Sequence, residues 1–364
     1  MSKLRVGLLF GGRSVEHEVS IASAASIFRA LDPTRYEVHL VAIDPSGRWH
    51  LAPAVPSAQI AITGEEVRLP AVPGRAALVP VSAGDTRKIA ELDVIFPIVH
   101  GRGGEDGSLQ GLLELADVPY VGSGVLGSSL QMDKEVSKRL LVAAGLPVLP
   151  FLCVRANDLA RDPRAEIARV RHELGFPVFV KPANLGSSVG IHKVKDEAAL
   201  LPALKDAARY DTKIVVERGI PARDVEIALL GRDPRVEASV PGEIRTRREF
   251  YDYEAKYVDE DTELLVPAPI GEALAAKLRD VALRAFRVLE GDGFARVDFL
   301  VHKETGEFYV NELNSLPGFT EVSMYPRMWE ASGLPYPALL DRLIELALER
   351  HREKSTLETQ YRRS

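Results

Sequence analysis

Cysteine is nearly absent. Cys153 is the only one in 364 residues, so no intramolecular disulfide can form, and the composition fits a reducing cytoplasm. Cys153 sits in the strand-like stretch PFLCV and is expected to be buried and inert rather than nucleophilic. Long apolar runs are missing too: none approaches a membrane span. The opening MSKLRVGLLFGGR has too short an apolar run for a signal-peptide core, and no small-residue cleavage site follows. A cationic excess is also lacking. The formal net charge of −6 argues against a general nucleic-acid binder. There is no internal repeat and no low-complexity tract. What is present is a globular composition, 46% hydrophobic and 27% charged, in a chain long enough for two or three domains with a sizeable core.

The most informative stretch is GFARVDFLVHKETGEFYVNELNSLPG, 293–318. Residues 294–301 alternate as a strand, with Ala295, Val297 and Phe299 on one face and Arg296 and Asp298 on the other. A polar turn ending at Gly306 leads to a second run, 307–314. There Glu312 and Asn314, two apart, share a face. Paired as a hairpin, the runs bring Asp298, Glu312 and Asn314 together beside Arg296. Three hard oxygen side chains suit Mg²⁺, which shares its shell with waters and substrate phosphates. The bland alternative is a solvated strand face with chance carboxylates. It is weakened by the apolar surroundings, where bare charges are costly.

A phosphate donor site is therefore sought elsewhere in the chain. The start reads strand, helix, strand (4–10, 19–31, 36–43), the unit of a parallel sheet. Residues 7–14 have P-loop spacing, but Arg13 stands where that motif needs lysine. Residues 122–127 match the dinucleotide glycine fingerprint, yet the region about 20 residues on has no ribose-binding carboxylate; a tight turn suffices. Residues 49–80, rich in proline and alanine, read as an insertion of hairpins or irregular loop. A strand over 93–99 delivers His100 to its carboxyl end, where ligands bind in open α/β sheets. Asp133 is placed to cap a helix running to about Ala144. Lys134 lies in its first turn, where a cation opposes the helix dipole and a bound phosphate would offset that cost. In VKPANLGSSVG, 180–190, Lys181 closes a strand before a glycine-serine loop able to drape N–H groups over phosphates. Strand 213–217 runs into Arg218, Gly219 and Ile220, a short connector able to face a flat base. Glu226 lies on the next strand. FYDYEAKY, 250–257, reads as a mobile surface loop, residues 274–289 as an amphipathic helix, and the tail after Glu349 as a helix extension or a disordered segment.

Taken jointly, GGRSVEHEVS (11–20), HGRGGEDGSLQG (100–111), MDK (132–134), VKPANLGSSVG (180–190), FYDYEAKY (250–257), ARVDF (295–299) and NELNSLPGFTEVSMYP (311–326) resemble the D-alanine–D-alanine ligases of the ATP-grasp superfamily, in the family's order and over nearly the whole chain. Arg218 departs from the lysine of many relatives. The resemblance implies a mixed α/β (α+β) fold in three parts: an N-terminal Rossmann-like parallel-sheet domain (1–124), then central (125–222) and C-terminal (223–350) ATP-grasp subdomains with mainly antiparallel sheets, and a charged tail (351–364). ATP would lie between the last two sheets.

Carried over position by position, the resemblance implies that Lys134 and Lys181 hold the phosphates of ATP. Glu217 and the backbone of Arg218, Gly219 and Ile220 would take the adenine, and Glu226 the ribose. Asp298, Glu312 and Asn314 would hold two Mg²⁺ or Mn²⁺. Glu16 would hold the ammonium of the first D-alanine, oriented through Ser187 and Tyr257, with His100 nearby. Arg296 and the Gly318 N–H would stabilise the oxyanion. Ser323, the Met324 backbone and Lys256 would take the carboxylate of the second D-alanine. The implied reaction makes D-alanyl-D-alanine for peptidoglycan through an acyl phosphate, releasing ADP and phosphate, in a cytoplasmic homodimer. A D-alanine–D-lactate ligase is the near alternative, disfavoured by Tyr257. A dinucleotide-dependent oxidoreductase and a catalytically dead nucleotide-binding module are more distant ones.

Overall fold

Strand β1 (Leu4–Gly11) is buried from Val6 onward on both faces, the mark of an interior parallel strand. It pairs in parallel with β2 (Tyr36–Ile43) on one side and β7 (Val94–Pro97) on the other. Helix α1 (His17–Ala30) connects β1 to β2 and buries Ile21, Ala24 and Ile27. Between β2 and β7 the chain inserts β3 (Trp49–Ala52), β4 (Glu65–Arg68), β5 (Ala77–Pro80) and β6 (Ala90–Glu91), all antiparallel, giving the sheet order β6-β5-β4-β3-β2-β1-β7. The 49–80 insertion is thus a run of sheet-extending hairpins rather than irregular loop. This computed structural model describes residues 2–55, 62–74, 76–82, 84–85, 87–186, 189–245 and 262–358. Ser187, Lys256, Tyr257 and the loop expected at 250–257 lie outside the described residues.

After helix α2 (Ser108–Leu115) come α3 (Val125–Met132) and α4 (Lys134–Ala143). Asp133 caps α4 as expected, accepting from the N–H groups of Glu135 and Val136. The central sheet comprises β8 (Phe151–Arg155), β9 (Val178–Pro182), β10 (His192–Val194) and β11 (Lys213–Arg218), antiparallel in the order β10-β9-β11-β8. Helices α5 (Ala156–Arg161), α6 (Pro163–Glu173) and α7 (Glu197–Ala207) accompany it. Its core of Val154, Val178, Val180, Ile214 and Val216 is separate from the others.

The third sheet runs β15-β14-β12-β16-β17, with β13 on β12. Its strands are β12 (Ala222–Arg232), β13 (Arg235–Ala238), β14 (Gly242–Arg245), β15 (Glu263–Leu265), β16 (Gly293–His302) and β17 (Phe308–Asn314). Helix α8 (Glu272–Val288) packs Leu278, Ala282 and Phe286 against one face of it, together with Leu141 from α4. On the other side, α9 (Met324–Ala331) and α10 (Tyr336–Ser355) share one apolar cluster with the N-terminal sheet. There Phe319 meets Phe96, Phe294 and Tyr325 at ring-centroid distances of 6.1, 5.6 and 5.5 Å. The tail is a helix extension as far as Ser355.

Candidate active site

The expected hairpin forms in a register that joins the two carboxylates. Asp298 faces Glu312 across β16 and β17, and Arg296 faces Asn314, with an irregularity just after Asp298. On the other side of β16, Glu226 faces Asp298. Arg296 holds Asp298 in a two-pronged grip, Nε to Oδ1 and Nη2 to Oδ2, both at 2.7 Å. Its Nε also lies 3.1 Å from Glu226. Burial opposes the Arg296 charge, but Asp298 and then Glu226 outweigh it and drive its pKa further up. Asn314 donates its Nδ2–H to Asp298 at 2.9 Å.

Lys134 reaches across from α4 to Glu312 at 3.0 Å and donates to the carbonyl of Leu185 at 2.9 Å. Burial lowers its pKa, yet Glu312 and the more distant Glu217 reverse that and leave it raised. On the central sheet Lys181 lies 3.0 Å from Glu217 Oε2 and 3.1 Å from Asn311 Oδ1. These groups open onto one cavity of about 560 Å³ between the central and C-terminal sheets. Lys134, Lys181, Glu217, Arg218, Ile220, Glu226, Arg296, Asp298 and Glu312 all line it, with Phe179 and Ile191 supplying apolar surface. Gly219 is not among its walls; its N–H is taken by the carbonyl of Pro177 at 2.8 Å.

A second group gathers where β7, the start of α1 and the loop after β17 meet. Glu16, at the N-cap position of α1, is buried, where the helix dipole favours a carboxylate. Its Oε2 lies against Gly101 and Gly186, so close that a Cβ on either would fall within 2.9 Å. Gly101, at φ +80°, has a second reason to be glycine. His100 is buried and donates from Nδ1 to the Leu316 carbonyl at 3.0 Å, with Ser23 Oγ 3.3 Å from Nε2. Burial lowers its pKa against the pull of Glu16, which favours the neutral imidazole. Gly318 and Ser323 adjoin: a Cβ on Gly318 would lie 3.3 Å from Ser323 Oγ. Ser323 in turn contacts the Thr320 hydroxyl at 2.7 Å and precedes Met324, the first residue of α9.

Lys138 and Glu105 are among the buried ionisable residues that the sequence did not single out. Lys138, one turn after Lys134, places Nζ 3.0 Å from Glu217 Oε1 and 2.9 Å from the Asn311 carbonyl. Glu105 accepts from the Gly101 N–H at 2.6 Å and from the Leu316 N–H at 3.2 Å. Burial, aided by the charge of Glu16, pushes its carboxyl up to about 8. The i, i+4 spacing of Lys134 and Lys138 was a visible signal for the first. The second was hidden, because Glu105 works through backbone groups.

Among the described residues no three His, Cys, Asp or Glu side chains form a closed metal cage. Asp298 and Glu312, which line the cavity, and the Asn314 amide beside Asp298 are instead a donor set suited to Mg²⁺, which is held through few protein oxygens plus substrate phosphates. The described helices include none long and apolar enough to cross a membrane.

Known proteins resemble this chain over nearly its whole length. The family model "D-ala D-ala ligase N-terminus" matches residues 5–123 and "D-ala D-ala ligase C-terminus" matches 140–345. A D-alanine–D-alanine ligase A of Bradyrhizobium diazoefficiens is 50% identical, over 99% of both chains. A D-alanine–D-alanine ligase of Heliobacterium modesticaldum is 49% identical over 97% of both. Among solved structures, the D-alanine–D-alanine ligase of Coxiella burnetii superposes with a TM-score of 0.84 at 37% identity, over 98% of this chain and 97% of that one. VanG D-Ala:D-Ser ligase of Enterococcus faecalis gives 0.84 at 31% identity, over 95% and 100%. The chain belongs to the D-alanine–D-alanine ligase family.

Proposed function

We propose that this chain joins two D-alanine molecules into D-alanyl-D-alanine at the expense of ATP, supplying a peptidoglycan precursor. The observation that carries this reading is the pairing of Asp298 with Glu312 on neighbouring strands, in a cavity that Lys134 and Lys181 also line. A free carboxylate resists attack by an amine because oxide is a poor leaving group. Transfer of the γ-phosphoryl group from ATP to the carboxylate of the first D-alanine gives an acyl phosphate and ADP. The amine of the second D-alanine then attacks the carbonyl, loses a proton, and phosphate departs.

In this reading Lys134 and Lys181 hold phosphates and turn from their present carboxylate partners to do so. Asp298, Glu312 and Asn314 hold two divalent ions, Mg²⁺ or Mn²⁺, which would neutralise phosphate charge and fix its oxygens. Glu217 accepts from the adenine amine beside the Arg218–Ile220 connector, and Glu226 takes the ribose. Glu16 holds the first ammonium, oriented through Ser187 and Tyr257, with His100 behind it. Arg296 and the Gly318 N–H face the developing oxyanion; one such donor is typically worth about 10²–10³ in rate. Ser323, the Met324 backbone and Lys256 take the second carboxylate. The proposed division at about 124 and 222 is supported by the presence of three separate sheets, although α4 lends Leu141 to the C-terminal core. A cytoplasmic homodimer completes the proposal.

Phosphate release with ATP is the test, with D-alanine, L-alanine, D-serine and D-lactate as parallel acceptors. Release with D-alanine and a dipeptide product is expected. Mainly depsipeptide or D-alanyl-D-serine at neutral pH would move the chain to a different acceptor class. Any dependence on NAD(P)H would revive the oxidoreductase reading.

A further inference from the structure

Lys138 is buried to 1% exposure and does not line the nucleotide cavity, unlike Lys134 and Lys181. It is therefore badly placed to hold a phosphate. Both of its close contacts are acceptors, Glu217 Oε1 and the Asn311 carbonyl. Lys181 holds the other oxygen of Glu217 and the side chain of the same Asn311. The four residues close a ring around one carboxylate. Burial pushes the Glu217 carboxyl up, but Lys138 and then Lys181 outweigh it and keep it low.

A buried ammonium is expensive, and an apolar side chain of similar size is often as stable in such a place. What Lys138 adds is a cation that cannot leave. Lys181 borders the cavity and is drawn to a triphosphate when one arrives. Without Lys138, Glu217 would then be a buried carboxylate with no counter-charge and would take up a proton. The difference matters at the base. A carboxylate only accepts hydrogen bonds, so it suits the exocyclic amine of adenine and repels a 6-oxo group. A carboxylic acid can donate to that oxygen and loses the distinction.

We propose that Lys138 is a positioning residue that sets base selectivity, keeping Glu217 an acceptor-only partner for a 6-aminopurine nucleotide while Lys181 serves the phosphates. The proposal rests on the assignment of Glu217 to the adenine amine. Steady-state kinetics with ATP and inosine triphosphate measure it, as the ratio of the two kcat/KM values. In Lys138→Met that ratio falls about 10–100-fold, the range for a charge-assisted hydrogen bond. Lys138→Gln, which keeps a donor but no charge, falls likewise and serves if the Met variant does not fold. Lys138→Arg keeps the ratio within a few-fold of wild type, a rescue that a purely structural role would not give. Glu217→Gln is run alongside. If it leaves the ratio unchanged, Glu217 does not read the base, and both readings fall. If it collapses the ratio while folded Lys138→Met or Lys138→Gln retains it, the Glu217 assignment stands and the role of Lys138 is overturned.

Discussion

Single side chains at this site do their work in pairs of opposite charge. Asp298 is gripped by Arg296, and Glu312 by Lys134. Removing either carboxylate therefore strips an oxygen donor from the phosphate side and leaves Arg296 with Glu226, or Lys134 with the Leu185 carbonyl, as a remaining contact. Glu312→Gln and Asp298→Asn keep size and hydrogen bonding, so the fold is expected to persist while kcat drops about 10³-fold or more. A phosphate-release assay with circular dichroism on the same samples checks this; near-wild-type turnover in either variant would contradict the metal assignment. Glu105 makes a second prediction. Its carboxyl rises from the ordinary 4.5 to about 8 because it is buried near Glu16. Below about 4.5 it is protonated folded or unfolded, and it carries no penalty. Between 4.5 and 8 the unfolded chain releases the proton and the folded one does not, so stability is lost as pH rises through this window and levels off above 8. Glu105→Gln lacks the titration. The melting temperature of the wild type should therefore fall relative to Glu105→Gln from pH 5 to pH 8, by a few degrees, since about 1 kcal/mol moves a chain of this size by about 2 °C. Parallel curves across that range would show that Glu105 ionises normally.

Among the elements, α4 and its N-cap residue supply three of the charged contacts around the site. Asp133 caps the helix, Lys134 reaches Glu312, and Lys138 closes the ring around Glu217. Asp133 is also paired with Lys213, which together with the Val136 N–H holds its carboxyl below the usual range despite burial. Asp133→Ala removes the cap, worth about 1–2 kcal/mol, and lets the first turn of α4 shift. The expected result is a several-fold higher KM for ATP together with a lower denaturant midpoint; an unchanged KM would mean that Lys134 is held in place without the cap. This helix was legible in advance, from Asp133 at its start to about Ala144, because capping is local chemistry. The hairpin of β16 and β17 was legible for a similar reason: a period of two fixes which residues share a face, and Arg296, Asp298, Glu312 and Asn314 do. The strands at 49–80 could not be settled from their residues, since short proline-broken segments look alike whether paired or not. Glu105 stayed invisible because its partners are the N–H groups of Gly101 and Leu316, 4 and 211 residues away, which no side-chain pattern records. The glycine-serine loop expected within 180–190 includes Ser187, which lies outside the described residues, so its place relative to Glu16 rests on the resemblance.

At the scale of the whole molecule the three sheets are not equally joined. The N-terminal and C-terminal parts share a single apolar cluster, in which Leu8, Phe10 and Phe96 pack with Phe294, Phe319 and Leu343. Helix α10 reinforces it: Arg350 donates to the Tyr120 carbonyl at 2.8 Å and lies 4.2 Å from the Tyr120 ring centroid, while His351 reaches Asp117 at 3.0 Å. The central sheet has its own core. Among the described residues its ties to the rest include polar contacts, Lys181 to Asn311 and Arg102 to the Tyr210 carbonyl at 3.2 Å. Polar interfaces open more readily than apolar ones, and an enzyme that must shield an acyl phosphate from water needs one part that can close on another. On that argument the outer parts would form a fixed block and the central sheet the part that closes on it. Hydrogen exchange under increasing denaturant separates the two behaviours. Amides of β1 and β16 should become exchangeable at one common denaturant concentration, because their side chains fill one core. Amides of β9 and β11 should open at a lower one, and ATP with Mg²⁺ should raise their protection selectively, since Lys181 and Glu217 would then be bridged to Asp298 and Glu312 through the nucleotide. If β1 instead opened well before β16, the shared cluster would not be cooperative, and the division into a fixed block and a closing part would have to be abandoned.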